Sequence, residues 1–223
     1  MPKRGRRDPV DLGDRFAHPV GQLSIRLATV NDAESIRAIY NYEVLRTFAT
    51  FDLVPRSLVD QQEWITDRSG AFAAIVVVDS DEDAASVVGF GSLSPYKDRA
   101  AYRTSVEDSV YVHQDHQGRG IGKLIVTELI DIARLSGFHA VFARIAAPGE
   151  ASRALHVSCG FQLVGVEREV GRKFNRWLDV VIMQTVLASS GNNVQSGSRA
   201  NLGQAPAQYL VDLAVARRHR EIV

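Results

Sequence analysis

Cysteine, net charge and long apolar stretches are all scarce in this chain. The single cysteine among 223 residues excludes an internal disulfide and fits the reducing cytoplasm. The 26 basic and 26 acidic residues cancel, so bulk electrostatic attraction to nucleic acid or to an anionic membrane is not expected. No apolar run approaches the roughly 18 residues that span a bilayer. We therefore expect a cytoplasmic globular protein with no nucleic-acid or membrane partner.

The two ends of the chain differ in composition from its middle. Residues 1–22 carry few large apolar side chains, and their basic start is not followed by the hydrophobic segment of a secretion signal. Residues 188–223 begin rich in Gly, Ser, Asn and Gln and end in a basic cluster. Within them, 209–216 suits one or two helical turns, and a loosely attached tail is favoured over a partner-binding helix. We expect one domain over residues 23–187, between a flexible extension and a linker with a short basic tail.

Hydrophobic periodicity divides this domain into strands and helices. A first helix capped by Asn31 or Asp32 is expected to run to about Leu45. The other predicted helices are 57–67, 120–135 and 150–158, and the predicted strands are 24–27, 72–78, 87–93, 102–112, 140–145, 161–166 and 177–186. This order predicts a single α/β or α+β domain. Cys159 is interpreted as a small packing residue rather than as a nucleophile.

The most informative segment is the strand 106–112 with the glycine-containing loop 117–123 that follows it. A strand, a glycine turn and a helix start together aim backbone N–H groups at a phosphate. The loop lacks the GxxxxGK[ST] pattern, and a third dinucleotide-motif glycine would fall at Lys123. Glu107 places a carboxylate on the same strand. A phosphate-bearing ligand beside a base is one interpretation, and a tight turn beside a surface carboxylate is the alternative.

Four motifs, in order along residues 24–187, carry a resemblance to a known family. Gln117-x-x-Gly120-x-Gly122 is similar to the acetyl-CoA loop of the GNAT N-acetyltransferases. Three further segments resemble the phosphinothricin and methionine sulfoximine N-acetyltransferase branch: 96–102 with 106–112, Pro148-x-x-x-Ser152-x-x-Leu155-His156-x-x-x-Gly160-Phe161, and Lys173-x-x-x-Trp177-x-Asp179-Val180. The resemblance implies a mixed, mostly antiparallel central sheet flanked by helices.

The resemblance also implies a reaction and its cofactor contacts. It implies a homodimer that transfers an acetyl group directly from acetyl-CoA to the α-amino group of a small amino acid or analogue, without a metal. Backbone N–H groups of the loop would hold the pyrophosphate, and the preceding strand would pair with the pantetheine arm. The implied acetyl-CoA contacts are Val110, Tyr111, Val112, Gln117, Gly118, Arg119, Gly120, Ile121, Gly122, Lys123, Gly149, Ser152 and Ser158.

Catalytic and acceptor-binding residues follow from the same resemblance. An α-ammonium group with a pKa of roughly 8 cannot attack a thioester until it loses a proton, and Glu107 is the implied base. His156 is the implied acid or proton relay, and a packed structural histidine is the alternative. Implied acceptor contacts are Lys97, Asp98, Arg99 and Tyr102, with Phe51 brought from the partner subunit. Lys97 and Arg99 suit a carboxylate or phosphinate, and a solvated basic loop is the alternative.

The sequence departs from the branch at a few positions. Gly149 stands where an asparagine is usual, and Phe48 and Arg172 replace small or aromatic residues at the expected acceptor pocket. Trp64 and Trp177 are interpreted as core or dimer contacts, and the same interpretation is the alternative for Phe51. These departures keep two alternatives open. One is acetylation of another amine, such as a peptide N-terminus or an antibiotic, and the other is an acetyl-CoA-binding regulatory module without turnover.

Overall fold

The computed structural model describes residues 23–80 and 86–187, so both predicted extensions, with the tail helix at 209–216, lie outside the described residues. One seven-stranded sheet with the order β1-β2-β3-β4-β5-β7-β6 forms the centre. The strands are β1 Leu23–Leu27, β2 Ile75–Asp79, β3 Ser86–Pro95, β4 Ser105–Val112, β5 Ala140–Ala146, β6 Gln162–Lys173 and β7 Arg176–Val186. All neighbours are antiparallel except β4 and β5, which confirms the predicted mixed sheet.

Four α-helices flank the sheet in the part of the chain that the structure describes. They are α1 Ala33–Arg46, α2 Leu58–Thr66, α3 Ile121–Leu135 and α4 Glu150–Ser158. Helix α2 begins at a capping box, in which the Ser57 hydroxyl accepts from the Asp60 N–H and the Asp60 carboxylate accepts from the Ser57 N–H. Among these residues, no helix has the length and apolar character needed to cross a bilayer.

Two apolar cores lie on opposite faces of the sheet. The larger core packs Ile125, Leu129 and Ile132 of α3 against the strands, and partly buried Cys159 joins it as a packing residue. The smaller core packs the apolar residues of α1 against β2 and β3. Trp64 belongs to this second core, with its ring centroid 6.1 Å from that of Phe90. Each fully buried Leu, Ile or Phe side chain contributes about 1.5–3 kcal/mol.

The parallel pair β4 and β5 separates soon after it begins. Only Ser105–Glu107 of β4 are in register with Ala140–Phe142 of β5. Beyond that point β4 stays paired with β3 as far as Val112, and β5 stays paired with β7 as far as Ala146. Since each strand follows its antiparallel neighbour, the two diverge and leave a V-shaped opening in the sheet. Its vertex lies at the Glu107–Phe142 pair.

Several strand boundaries differ from the sequence prediction. Strand β2 begins at Ile75 rather than at residue 72, which ends a 3₁₀ turn, and β6 continues to Lys173 rather than ending at residue 166. Tyr102 was expected within the strand 102–112, but it ends a 3₁₀ turn, Ala100–Tyr102, and β4 begins at Ser105. The Tyr102 N–H donates to the Arg99 carbonyl over 2.9 Å. This local hydrogen bond takes the backbone donor that a strand would have offered to its neighbour.

Candidate active site

The opening between β4 and β5 is a cleft of about 1100 Å³. This volume is at the upper end for small-molecule sites and suits a long ligand. Its walls come from the segment after α1, from β4 and β5, from the loop before α3 and from α4. The cleft brings together these predicted site residues: Phe51, Glu107, Val110, Tyr111, Val112, Gln117, Gly118, Gly120, Ile121, Gly122, Lys123, Gly149, Ser152, His156 and Ser158.

The loop before α3 presents backbone donors to one end of the cleft. Gly118 and Gly120 have φ angles of 77° and 83°, in the left-handed region that favours glycine. Gly120 is the N-cap of α3 and supplies no side-chain acceptor, so the first N–H groups of the helix remain available. These donors and the positive end of the helix dipole suit a phosphate group. The geometry agrees with the anion-binding interpretation of this loop.

Arg119 is the loop residue whose side chain leaves the cleft. Its guanidinium donates to the Asp79 carboxylate over 2.9 Å, at the end of β2, and lies 2.7 Å from His116 Nδ1. The Asp79 side chain is only 2% exposed. Arg119 therefore anchors the loop to the sheet, and Lys123 is the basic side chain of the segment 117–123 that lines the cleft.

Gly149 is the N-cap of α4 at the edge of the cleft, and its surroundings leave little room for a Cβ atom. A Cβ atom at this position would lie 2.9 Å from Ile145 Cγ2 and 3.0 Å from the Ala146 carbonyl oxygen. Contacts this short require the end of β5 to move away. The glycine thus lets α4 approach β5 closely in this chain.

Glu107 and Asp108 lie on opposite faces of β4 because side chains alternate along a strand. Val106 and Val110, on the same face as Asp108, pack in the core beneath α3. Tyr111, on the same face as Glu107, packs in the core beneath α1, with its ring 5.2 Å from that of Tyr40. Both carboxylates line the cleft since they stand at its vertex.

His156 is enclosed, and both of its ring nitrogens face oxygen acceptors. Nδ1 donates to the Ser152 carbonyl over 2.7 Å, and Nε2 lies 3.1 Å from Asp108 Oδ2. Burial by itself lowers the pKa of His156, but the hydrogen bond and charge of Asp108 and the Ser152 carbonyl outweigh it and raise the pKa above its ordinary value. Sequence reasoning missed Asp108, because nothing local to the strand distinguishes it from a surface carboxylate.

The segment between α1 and α2 closes the other end of the cleft. Lys173 of β6 donates to the carbonyls of Thr50 and Glu43, over 2.8 and 3.2 Å. Phe51 packs on Gly171 of the same chain, where a Cβ would lie 2.2 Å from the ring. The lining residues here include Glu43, Arg46, Thr47, Phe48 and Thr50. Of these residues, the sequence analysis identified only Phe48, because the apolar pattern of α1 does not indicate which residues line a cleft.

The predicted acceptor contacts on the loop after β3 lie beside the cleft rather than in its lining. The Lys97 ammonium lies 4.8 and 5.3 Å from the ring centroids of Tyr96 and Tyr102. Asp98 and Arg99 lie on the same loop, shortly after the last residue of β3. Arg172, also expected at this pocket, instead lies over the exposed Trp177 ring at 5.7 Å.

Comparison with known proteins identifies the fold and the family. Residues 25–182 match the acetyltransferase (GNAT) domain family. A phosphinothricin N-acetyltransferase of Streptomyces coelicolor is 36% identical over 159 residues, which cover 71% of this chain and 93% of that protein. An L-methionine sulfoximine/L-methionine sulfone acetyltransferase of Pseudomonas aeruginosa is 38% identical over 161 residues, with coverages of 72% and 92%.

A solved structure agrees with this relationship. The crystal structure of a GNAT superfamily phosphinothricin acetyltransferase from Sinorhizobium meliloti, in complex with acetyl-CoA, superposes with a TM-score of 0.71 at 32% identity. The match covers 79% of this chain and 94% of that one. The splayed strands, the glycine cradle and these matches agree, and the chain belongs to the GNAT family as an N-acetyltransferase of the branch that contains the phosphinothricin and methionine sulfoximine enzymes.

Proposed function

We propose that this protein transfers the acetyl group of acetyl-CoA to the α-amino group of a small amino acid or analogue of the phosphinothricin or methionine sulfoximine type. The observation that carries the proposal is that one cleft is lined by a backbone anion cradle at one end and by Glu107 at its vertex. The names of the relatives support the substrate class.

In the proposed reaction, Glu107 accepts a proton from the acceptor ammonium, directly or through one water molecule. The freed amine nitrogen attacks the acetyl carbon, a carbon–nitrogen bond forms and the carbon–sulfur bond breaks. Coenzyme A leaves as the thiolate. The second proton, which the nitrogen loses as the amide forms, passes to water, and the thiolate takes up a proton from water in turn. The positively charged ring of His156, which lines the same cleft, stabilises the negative charge that develops on sulfur.

Acetyl-CoA fits the donor end of this cleft. The N–H groups at the start of α3 would hold its pyrophosphate, with Lys123 adding a positive charge. The stretch of β4 from Val110 to Val112 is not paired with β5, so that side of the strand has backbone groups for the pantetheine arm. Ser152 and Ser158 would contact the same ligand from α4.

Cationic side chains at the acceptor end would bind the acceptor carboxylate or phosphinate. Lys97, Arg99 and Tyr102 carry over from the resemblance and lie between β3 and β4, outside the residues that line the cleft. Arg46 is a further candidate, because it lines the cleft and has no ion-pair or hydrogen-bond partner within residues 23–80 and 86–187. Phe48 and Phe51 of the same chain would contact the apolar part of the acceptor, in place of the Phe51 that the resemblance brings from the partner subunit.

A second copy of the chain is proposed to cover the β6–β7 hairpin. Strand β6 is at the edge of the sheet, and its exposed face carries apolar side chains. Leu163 is 65% exposed and Trp177 on β7 is 62% exposed. An apolar edge strand of this kind favours pairing with another chain. The homodimer implied by the resemblance would bury this surface.

The function is tested by thiol release from acetyl-CoA with phosphinothricin, methionine sulfoximine and the proteinogenic amino acids as acceptors. The proposal expects turnover with at least one amino acid acceptor, and a Glu107→Gln variant that binds acetyl-CoA normally but is at least about 100-fold slower. Glu128→Gln on the outer part of α3 serves as the matched control, since it changes a carboxylate that does not line the cleft. Tight acetyl-CoA binding without turnover on any acceptor would identify the regulatory module instead.

A further inference from the structure

We propose that Asp108 is a positioning residue that keeps His156 protonated and joins α4 to β4 at the vertex of the cleft. The inference rests on the proposed acetyl transfer for its kinetic consequence, but its structural part can be tested without turnover. In this assignment His156 is a fixed positive group and does not exchange its proton during the reaction. Glu107 is then the group that exchanges protons with the acceptor.

The first support is the number of hydrogen-bond donors and acceptors around the imidazole ring. A neutral imidazole has one N–H donor and one lone pair, whereas the protonated ring has two donors. The Ser152 carbonyl at 2.7 Å and the Asp108 carboxylate at 3.1 Å are both acceptors. A neutral ring with a deprotonated Asp108 would therefore place a nitrogen lone pair against an oxygen atom. One additional proton, shared by His156 and Asp108, allows both contacts to be hydrogen bonds.

The second support is the enclosure of the pair. The side chains of His156 and Asp108 are 2% and 3% exposed, and the Phe161 ring packs edge-on against the imidazole at 4.9 Å. A buried charge is costly unless its partner is present, so removal of either member is expected to neutralise the other. His156 also lies in the last turn of α4, where the helix dipole favours a positive charge.

The charged surroundings of the ring identify Asp108 as the controlling group. From β4, Glu107 points to the opposite face, so Asp108 is the carboxylate that acts on the ring. On α4, the Arg153 guanidinium lies 3.6 Å from the carboxylate of Glu150, which is on the first turn of the helix. Burial lowers the pKa of His156, whereas Asp108 and the Ser152 carbonyl raise it above its ordinary value.

The third support is the position of the pair in the sheet. Glu107 is the last residue of β4 in register with β5, and Asp108 is the next residue. Helix α4 follows β5, so the Asp108–His156 contact ties the two diverging strands together at the point where their hydrogen bonding ends. The contact spans 48 residues of sequence. It fixes the wall formed by α4 relative to the strand that carries Glu107.

The direct test is an NMR titration of the His156 ring in the wild-type protein. The proposal expects the ring of His156 to lose its proton only at a pH above the ordinary imidazole value of about 6.5. In Asp108→Asn, burial is no longer opposed by a negative charge, so the ring is expected to lose its proton with a midpoint below about 6.5. A wild-type ring that titrates at or below that value overturns the proposal.

The kinetic test compares pH profiles. At pH 7.5 we expect kcat of Asp108→Asn to fall by about tenfold or more, with partial recovery as the pH is lowered and the ring regains its proton. Asp108→Glu keeps the negative charge and is expected to keep the protonated ring. Asp32→Asn, which weakens a partly exposed ion pair outside the cleft, is the control for general destabilisation and is expected to leave the kcat profile unchanged.

An Asp108→Asn enzyme with kcat within about twofold of the parent and an unchanged pH profile would contradict the proposal. Absence of acetyl transfer in the parent, with a ring that stays protonated, would reject the proposed function but not the role of Asp108. The two failures are thus distinguishable.

Discussion

Lys173 tests how the proposed acceptor end of the cleft, formed by the segment between α1 and α2, is held in place. Its side chain is buried, and its ammonium donates to the backbone carbonyls of Glu43 and Thr50. Replacement by methionine keeps most of the aliphatic length but removes both donors. The segment that carries Thr47 and Phe51 then loses its link to β6.

The expected loss of stability follows from these two contacts. A hydrogen bond from a charged donor contributes about 1.5–3 kcal/mol, and an unsatisfied buried carbonyl costs about 1–3 kcal/mol. Removal of a buried charge recovers part of this loss. We therefore expect Lys173→Met to lower the free energy of unfolding by about 2–4 kcal/mol.

The assay combines urea unfolding with steady-state kinetics on the folded variant. Because Lys173 holds the acceptor end and not the phosphate cradle, the KM for the acceptor is expected to rise by about tenfold or more, while the KM for acetyl-CoA changes little. Lys97→Met, on the loop after β3, is the stability control and is expected to change the free energy of unfolding by less than about 0.5 kcal/mol. Equal stability of Lys173→Met and the parent, with an unaltered acceptor KM, would refute the reasoning.

Two further predictions concern acid stability and assembly. Although burial acts to raise it, the Arg26 and Thr29 hydrogen bonds lower the pKa of Asp32 below its ordinary value. The folded pKa is then below the unfolded one, so the contribution is present at neutral pH and is lost as the pH falls from about 4 through the folded pKa. Asp32→Asn should lower the free energy of unfolding by roughly 1 kcal/mol at pH 7, a modest value because Arg26 is 43% exposed. The difference from the parent should shrink as the pH falls through the folded pKa of Asp32, and a difference that does not change with pH would contradict this. For assembly, Leu163→Lys on β6 should convert a dimer into a monomer in light scattering, whereas Leu135→Lys at the exposed end of α3 should not; a monomeric parent would refute the proposed dimer.

The glycine turn before α3 was predicted from sequence because it depends on the conformational preferences of neighbouring residues. Gly118 and Gly120 adopt left-handed backbone angles that glycine favours, and the helix that follows is specified by its own apolar spacing. The same is true of the strand that contains Glu107. Arg119 was harder to predict, since its ion pair with Asp79 joins residues 40 positions apart.

By itself, the sequence determined the order of strands and helices, the glycine turn and the presence of a carboxylate on the strand before it. The tertiary structure alone decided where β4 leaves β5, since that depends on pairing with β3 and β7. It also decided which buried groups meet: Asp108 with His156, and Lys173 with the Glu43 carbonyl 130 residues away. Contacts between distant segments are set by packing of the whole sheet, and no local pattern encodes them.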